Sequence, residues 1–112
     1  MHYRKAIQFI DKGHAQTLVF LPGWALDTRI FDTIESPFDR LYLNDICSAS
    51  LISDLKQAFH INAIKPAHFI GFSMGAFRCL DIFKPSPGLI RSVTLIGLNT
   101  GYKKTDIALI RR

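Results

Sequence analysis

The sequence predicts an α/β domain built on a mostly parallel β-sheet with helices on both faces. Three observations carry this expectation. Short apolar runs alternate with stretches whose apolar residues recur at helical spacing. The runs are nearly continuous rather than alternating, as in strands buried on both faces, and such strands need helical crossovers. At 112 residues, 48% of them hydrophobic, the chain can fill one core but not two, so one domain over residues 1–112 is expected.

The elements follow in order. "AIQFI" (6–10) and "QTLVFLPG" (16–23) read as strands flanking "DKGH", whose Gly13 suggests a hairpin and an antiparallel start. "WALDTRIFDTI" offers Asp27 as an N-cap, then Ile30, Phe31 and Ile34 at helical spacing, which predicts a short helix. "RLYLNDI" (40–46) reads as a strand. After the serines of "CSAS", Leu51, Ile52, Leu55, Ala58 and Phe59 form one apolar stripe of a helix lying on the sheet. "PAHFIGF" (66–72) is the next strand, with Pro66 at its start, where a missing N–H does least harm. Ala76, Cys79, Leu80 and Phe83 then define a helix that ends before "KPSPG", and "LIRSVTLIGLN" (89–99) is a buried strand. Beyond Gly101, Thr105 would cap a further helical start in "YKKTDIALIRR".

Composition narrows the function classes. The longest apolar run is far short of the ~18 residues of a membrane span. The N-terminal "MHYRKAIQFIDKG" lacks a signal peptide's apolar segment and cleavage site, so a cytoplasmic protein without membrane association is expected. Cys47 and Cys79 lack the spacing of a metal site or a disulfide framework and read as reduced packing residues. The net charge is +5, with Lys103, Lys104, Arg111 and Arg112 crowded at the end; these form a solvated tail or attract an acidic partner. No nucleic-acid motif accompanies the basic residues, and no metal or cofactor is implied.

The chemistry centres on "HFIGFSMGAFRCL" (68–80). Gly71-Phe72-Ser73-Met74-Gly75 fits G-x-S-x-G, the sharp strand-to-helix turn that presents a nucleophilic serine. Side chains at the two glycine positions would collide with the neighbouring strand and helix. A chance match in such a chain is about a 4% event from composition. The apolar strand before it and the clean helical stripe after it supply the context the motif requires. A serine nucleophile also needs donors aimed at the oxyanion. One would be the amide of Met74 at the positive end of the new helix. "FLPGWALD" would supply the other: Gly23 lets the chain pass close to the elbow and the Trp24 N–H points to the same place. The plainer reading is that Pro22-Gly23 is only a turn and Trp24 a hydrophobic plug.

"LVFLPGWALDTRIFDTI", "FIGFSMGAFRCLDIF" and "RSVTLIGLN" together resemble the α/β-hydrolase fold. Within it, the "PGW" followed by a short helix and the elbow is most similar to the pimeloyl-acyl-carrier-protein methyl ester esterases of biotin synthesis. The resemblance runs over residues 16–100, the N-terminal half of a family member. It implies a truncated core without lid or C-terminal strands, acting on a small acyl ester and meeting an acidic acyl carrier protein. The chain departs from the family at Pro22-Gly23, where members usually have His-Gly, and at "YLNDICSASLISDL", which lacks the Pro-Gly-x-Gly-x-Ser loop.

The general base is not evident. Histidines stand at 2, 14, 60 and 68, all before Ser73, whereas the fold orders its triad Ser, acid, His. His68 begins the strand leading to Ser73, roughly 16 Å of extended chain away, towards the opposite end of the sheet. Of the acids, Asp81 should face solvent and Asp106 lies in the final segment, while Asp27 and Asp45 sit at strand ends as cap and loop residues. The expectation is a serine carboxylesterase-type hydrolase holding Ser73 and its oxyanion donors without acid, base or lid. The alternatives are a noncatalytic binding or scaffold protein, dimerising through an exposed sheet edge, or an acyltransferase or thioesterase on the same fold.

Overall fold

The computed structural model describes residues 6–23, 28–97 and 109–111. Six strands form one sheet: β1 (Ile7–Ile10), β2 (Thr17–Leu21), β3 (Asp39–Leu43), β4 (Ala67–Phe72), β5 (Ile90–Ile96) and β6 (Leu109–Arg111), in the order β1-β3-β2-β4-β5-β6. The four central strands β3, β2, β4 and β5 are parallel, and the outer strands β1 and β6 run antiparallel to their neighbours. Helix α1 (Leu51–Ile61) links β3 to β4, and α2 (Met74–Phe83) links β4 to β5.

Alternate residues of each strand feed different cores, as the pleat requires. On one face Val19, Leu21, Leu41, Leu43, Phe69, Val93 and Leu95 meet Leu51, Leu55 and Phe59 of α1 and Ala76, Cys79 and Ile82 of α2. The α1 stripe read from the sequence is the face that buries; on α2, Ala76 and Cys79 bury as read, Ile82 takes a core position, and Leu80 and Phe83 are half-buried against it. On the other face Leu18, Phe20 and Tyr42 are covered by Phe31, Ile34 and Phe38, from a 3-10 helix (Thr28–Phe31) and the loop after it. The mostly parallel sheet with helical elements on both faces is the architecture expected. Among the described residues no helix is long and apolar enough to cross a membrane.

Three local expectations are corrected. The 11–16 segment is no hairpin: β1 and β2 do not pair, because β3 lies between them. Asp39 at the start of β3 explains the connection. It is buried, and its Oδ1 accepts the backbone N–H groups of Lys12 (2.6 Å) and His14 (3.1 Å), anchoring the crossing loop to the inserted strand. At the other end, residues 109–111 form a strand on β5 where helix was expected; Thr105 and Asp106 lie outside the described residues, as does the proposed cap Asp27. Cys47 is exposed rather than packed, since the loop after β3 turns it outward, whereas Cys79 is buried as expected.

Arg40 organises the second face. It is 5% exposed, yet no carboxylate pairs with it among the described residues. Its Nη1 donates to the carbonyl of Phe31 (3.3 Å) and to the Tyr42 hydroxyl (3.1 Å), and its Nη2 donates to the carbonyl of Ile34. The guanidinium lies 5.3 Å from the centroid of the Phe20 ring. Carbonyl dipoles and a π-face stand in for a counter-ion.

Removing the Asp39 carboxylate strands two partly buried amides, so Asp39→Ala should lower unfolding free energy by about 1–3 kcal/mol in a urea titration. Burial pushes the Cys79 thiol from 9.0 up to about 12. One thiol per folded chain, Cys47, should therefore react quickly with a disulfide reagent at neutral pH, and the second only on unfolding. An unfolded thiol releases its proton near its ordinary value and the folded one does not. Stability should thus fall as pH rises through about 9 to about 12, and Cys79→Ala should remove that slope.

Candidate functional site

The β2–β4 boundary is where the chain changes direction across the sheet. From β2 it moves to β3 on one side, and from β4 to β5 on the other. Such a switch point leaves a crevice at the carboxyl ends of the two strands, where open α/β sheets bind ligands. Ser73 occupies the turn directly after β4, and Pro22-Gly23 directly follows β2.

Ser73 has φ 55° and ψ −115°, a conformation that a residue with a side chain adopts only under constraint. The constraint is visible on both sides. The Ser73 N–H donates to the carbonyl of Ile96 at the end of β5 (2.8 Å), and the Ser73 carbonyl accepts the Ala76 N–H (2.9 Å), closing the first turn of α2. The turn is tight enough that a Cβ on Gly71 would stand 2.6 Å from the Gly75 carbonyl oxygen and 2.7 Å from the Ala76 Cα. A Cβ on Gly75 would overlap the Leu21 carbonyl and stand 2.5 Å from that of Pro22. Both motif glycines thus face backbone, which cannot swing aside as a side chain can. The Gly75 contact also places the start of α2 directly against the end of β2.

The amide of Met74 begins α2 and has no carbonyl one turn upstream to bond within the helix. Its side chain is 43% exposed, and the Ser73 side chain makes no capping bond to the helix. Pro22 and Gly23 are buried. Trp24, the second oxyanion donor expected from the sequence, lies outside the described residues. Beside the elbow, Arg78 of α2 donates from Nε to the Ile46 carbonyl (2.7 Å) and pairs through Nη1 with the exposed Asp81 (3.1 Å). Asp81 thereby faces outward as expected while Arg78 ties down the loop after β3. In that loop Asp45 Oδ1 accepts the Cys47 N–H, a loop role.

Among the described histidines, none bonds to Ser73. His60 ends α1 in an exposed position. His14 Nδ1 accepts the Gln16 N–H (2.9 Å). His68 lies early in β4, opposite Ser92 of β5, and its ring nitrogens contact Ser92 Oγ and Gln16 Oε1. That last cluster was not legible beforehand, because its members are far apart in sequence and only strand register joins them.

No protein-family model matches the sequence, and no curated protein matches it either. Solved structures do. An α/β-hydrolase enzyme from a Medee basin deep-sea metagenome library matches with TM-score 0.61 and 18% identity, over 80% of this chain and 40% of that one. An esterase from Exiguobacterium antarcticum matches with TM-score 0.62 and 17% identity, over 80% and 39%. A variant of an epoxide hydrolase from Bacillus megaterium matches with TM-score 0.62 and 16% identity, over 80% and 38%. The chain therefore has the α/β-hydrolase fold and spans about two fifths of the length of these structures.

The elbow geometry has measurable consequences for stability. Gly75→Ala should destabilise by roughly 1–3 kcal/mol or more, since only backbone can yield. Ser73→Gly should stabilise by roughly 1 kcal/mol, because relief of about 1–3 kcal/mol of strain outweighs the added chain entropy. Ser73→Ala, which keeps the Cβ, should show no such gain in the same denaturation series.

Proposed function

We propose that the chain carries the nucleophile part of a serine ester hydrolase acting on small acyl esters. The observation that supports this most is the strained Ser73 backbone, held between two glycines whose Cβ positions are closed by backbone, at the sheet's switch point. In this reading Ser73 Oγ attacks the ester carbonyl and the Met74 and Trp24 amides hold the oxyanion. The alcohol departs, and water then releases the acid. Strain at the nucleophile keeps its hydroxyl above the crevice at no further entropic cost during reaction. In this reading the general base and its acid are not among the described residues. The finer substrate reading, a methyl ester of a pimeloyl chain borne on an acidic acyl carrier protein, rests on the "PGW" and elbow resemblance; the net charge of +5 suits such a partner.

The absence of a histidine contact to Ser73 among the described residues favours a second reading, a noncatalytic scaffold that pairs with a second copy through β1. Turnover separates the two. With p-nitrophenyl butyrate the chain should sustain slow hydrolysis above the uncatalysed rate, by attack of Ser73 Oγ on an ester held by the oxyanion donors. Ser73→Ala should abolish that steady rate. Equal steady rates for the two proteins would overturn the hydrolase reading, and a dimer by size-exclusion chromatography would then favour the scaffold.

A further inference from the structure

A second serine has what Ser73 does not have among the described residues, a histidine at its hydroxyl. Ser92 Oγ lies 2.7 Å from His68 Nδ1, and His68 Nε2 lies 2.8 Å from Gln16 Oε1. The three residues sit on different strands or strand approaches, brought together because β4 pairs with both β2 and β5, with a register shift between Ala67 and His68 that sets Ser92 opposite His68. The Gln16 oxygen can only accept, so Nε2 carries the imidazole proton. Nδ1 is then the acceptor, and the Ser92 hydroxyl donates to it. Nucleophile, base and orienting group thus stand in the sequence that activates a serine, with an amide in the orienting role. Among the described residues this is the one hydroxyl hydrogen-bonded to an imidazole.

The group is partly open to solvent. Ser92 and His68 are half-buried and Gln16 is exposed. The Phe38 ring stands 5.9 Å from the His68 ring and 4.5 Å from that of His14, a half-buried aromatic ledge beside the hydroxyl. Ser92 lies inside the sheet, registered with His68 of β4 and Arg111 of β6, rather than at a helix N-terminus where amides would form an oxyanion hole. An electrophile that needs little carbonyl stabilisation is therefore required.

From this arrangement we infer that Ser92 is a second nucleophile, activated by His68, which takes the acyl group of activated aryl esters and holds it. The Ser92 Oγ–carbonyl carbon bond forms as the bond from that carbon to the aryl oxygen breaks. The hydroxyl proton passes to His68 Nδ1 and from there to the departing phenolate. The acyl-serine accumulates, because water attack would build an oxyanion that nothing in the ladder stabilises. This inference is independent of the role of Ser73.

The test is a burst experiment with p-nitrophenyl acetate on the full chain. About one equivalent of p-nitrophenolate should appear quickly. Trypsin, cutting after Arg78 and Arg91, separates the two serines, and the acetyl group should map to the peptide beginning at Ser92. Ser73→Ala should keep the burst whatever it does to steady turnover, and Ser92→Ala should lose it. His68→Gln retains a side chain able to bond both neighbours but not to accept a proton. It should keep its circular dichroism spectrum and slow the burst roughly a hundredfold, the worth of a general base. An unchanged burst in His68→Gln, or acetyl mapping away from Ser92, would overturn the inference. Should His68→Gln fail to fold, the mapped site and the loss in Ser92→Ala decide alone.

Discussion

The contact between the start of α2 and the end of β2 is the constraint on which the rest depends. Gly75 lies against the Leu21 and Pro22 carbonyls with no space for a methyl group. That approach fixes where α2 begins, and α2 in turn contributes Ala76, Cys79 and Ile82 to the larger core. It also fixes the distance between the two loops at the switch point. A helix held even one side chain further from the sheet would open the crevice and move the Met74 amide away from the loop that follows β2. Close backbone approach is here both a packing device and a positioning device.

Strain at Ser73 follows from the same geometry. The residue must leave β4 and enter α2 within one step, while its N–H is committed to Ile96 and its carbonyl to Ala76. Neither bond can be kept if φ relaxes to an ordinary value. The surrounding hydrogen bonds and the two glycines therefore over-determine an unfavourable conformation, a condition under which strained backbone persists and which clusters at functional sites. The fold itself supports esterases and epoxide hydrolases alike among its structural relatives, so the chemistry resides in what lines the crevice rather than in the sheet.

Much of this was legible in the sequence because it is local. The stripe Leu51, Leu55, Phe59 and the stripe Ala76, Cys79 each appear within a few residues, and the elbow is a five-residue pattern with a steric cause. What was not legible depends on pairing at a distance. A loop containing Gly13 looks like a hairpin until β3 is seen to lie between its strands, and nothing near Asp39 announces that its carboxylate anchors that loop. The short run 109–111 has apolar residues at a spacing compatible with either helix or strand, and its pairing with β5 decides. Cys47 is adjacent to apolar Ile46, but a loop sets orientation by its turns and not by hydropathy. The cluster of Gln16, His68 and Ser92 spans three strand segments and required the register.

Arg40 clamps the segment over the second core by donating to the carbonyls of Phe31 and Ile34, with the Tyr42 hydroxyl and the Phe20 ring completing its surroundings. Every donor of that contact belongs to one planar guanidinium, so the two carbonyls it holds cannot drift apart independently. The fastening is also shielded from ionic screening, since the guanidinium is buried and only one partner is an ion. The layer carrying Phe31 and Ile34 should stay seated on the sheet in brine that loosens the protein's surface ion pairs.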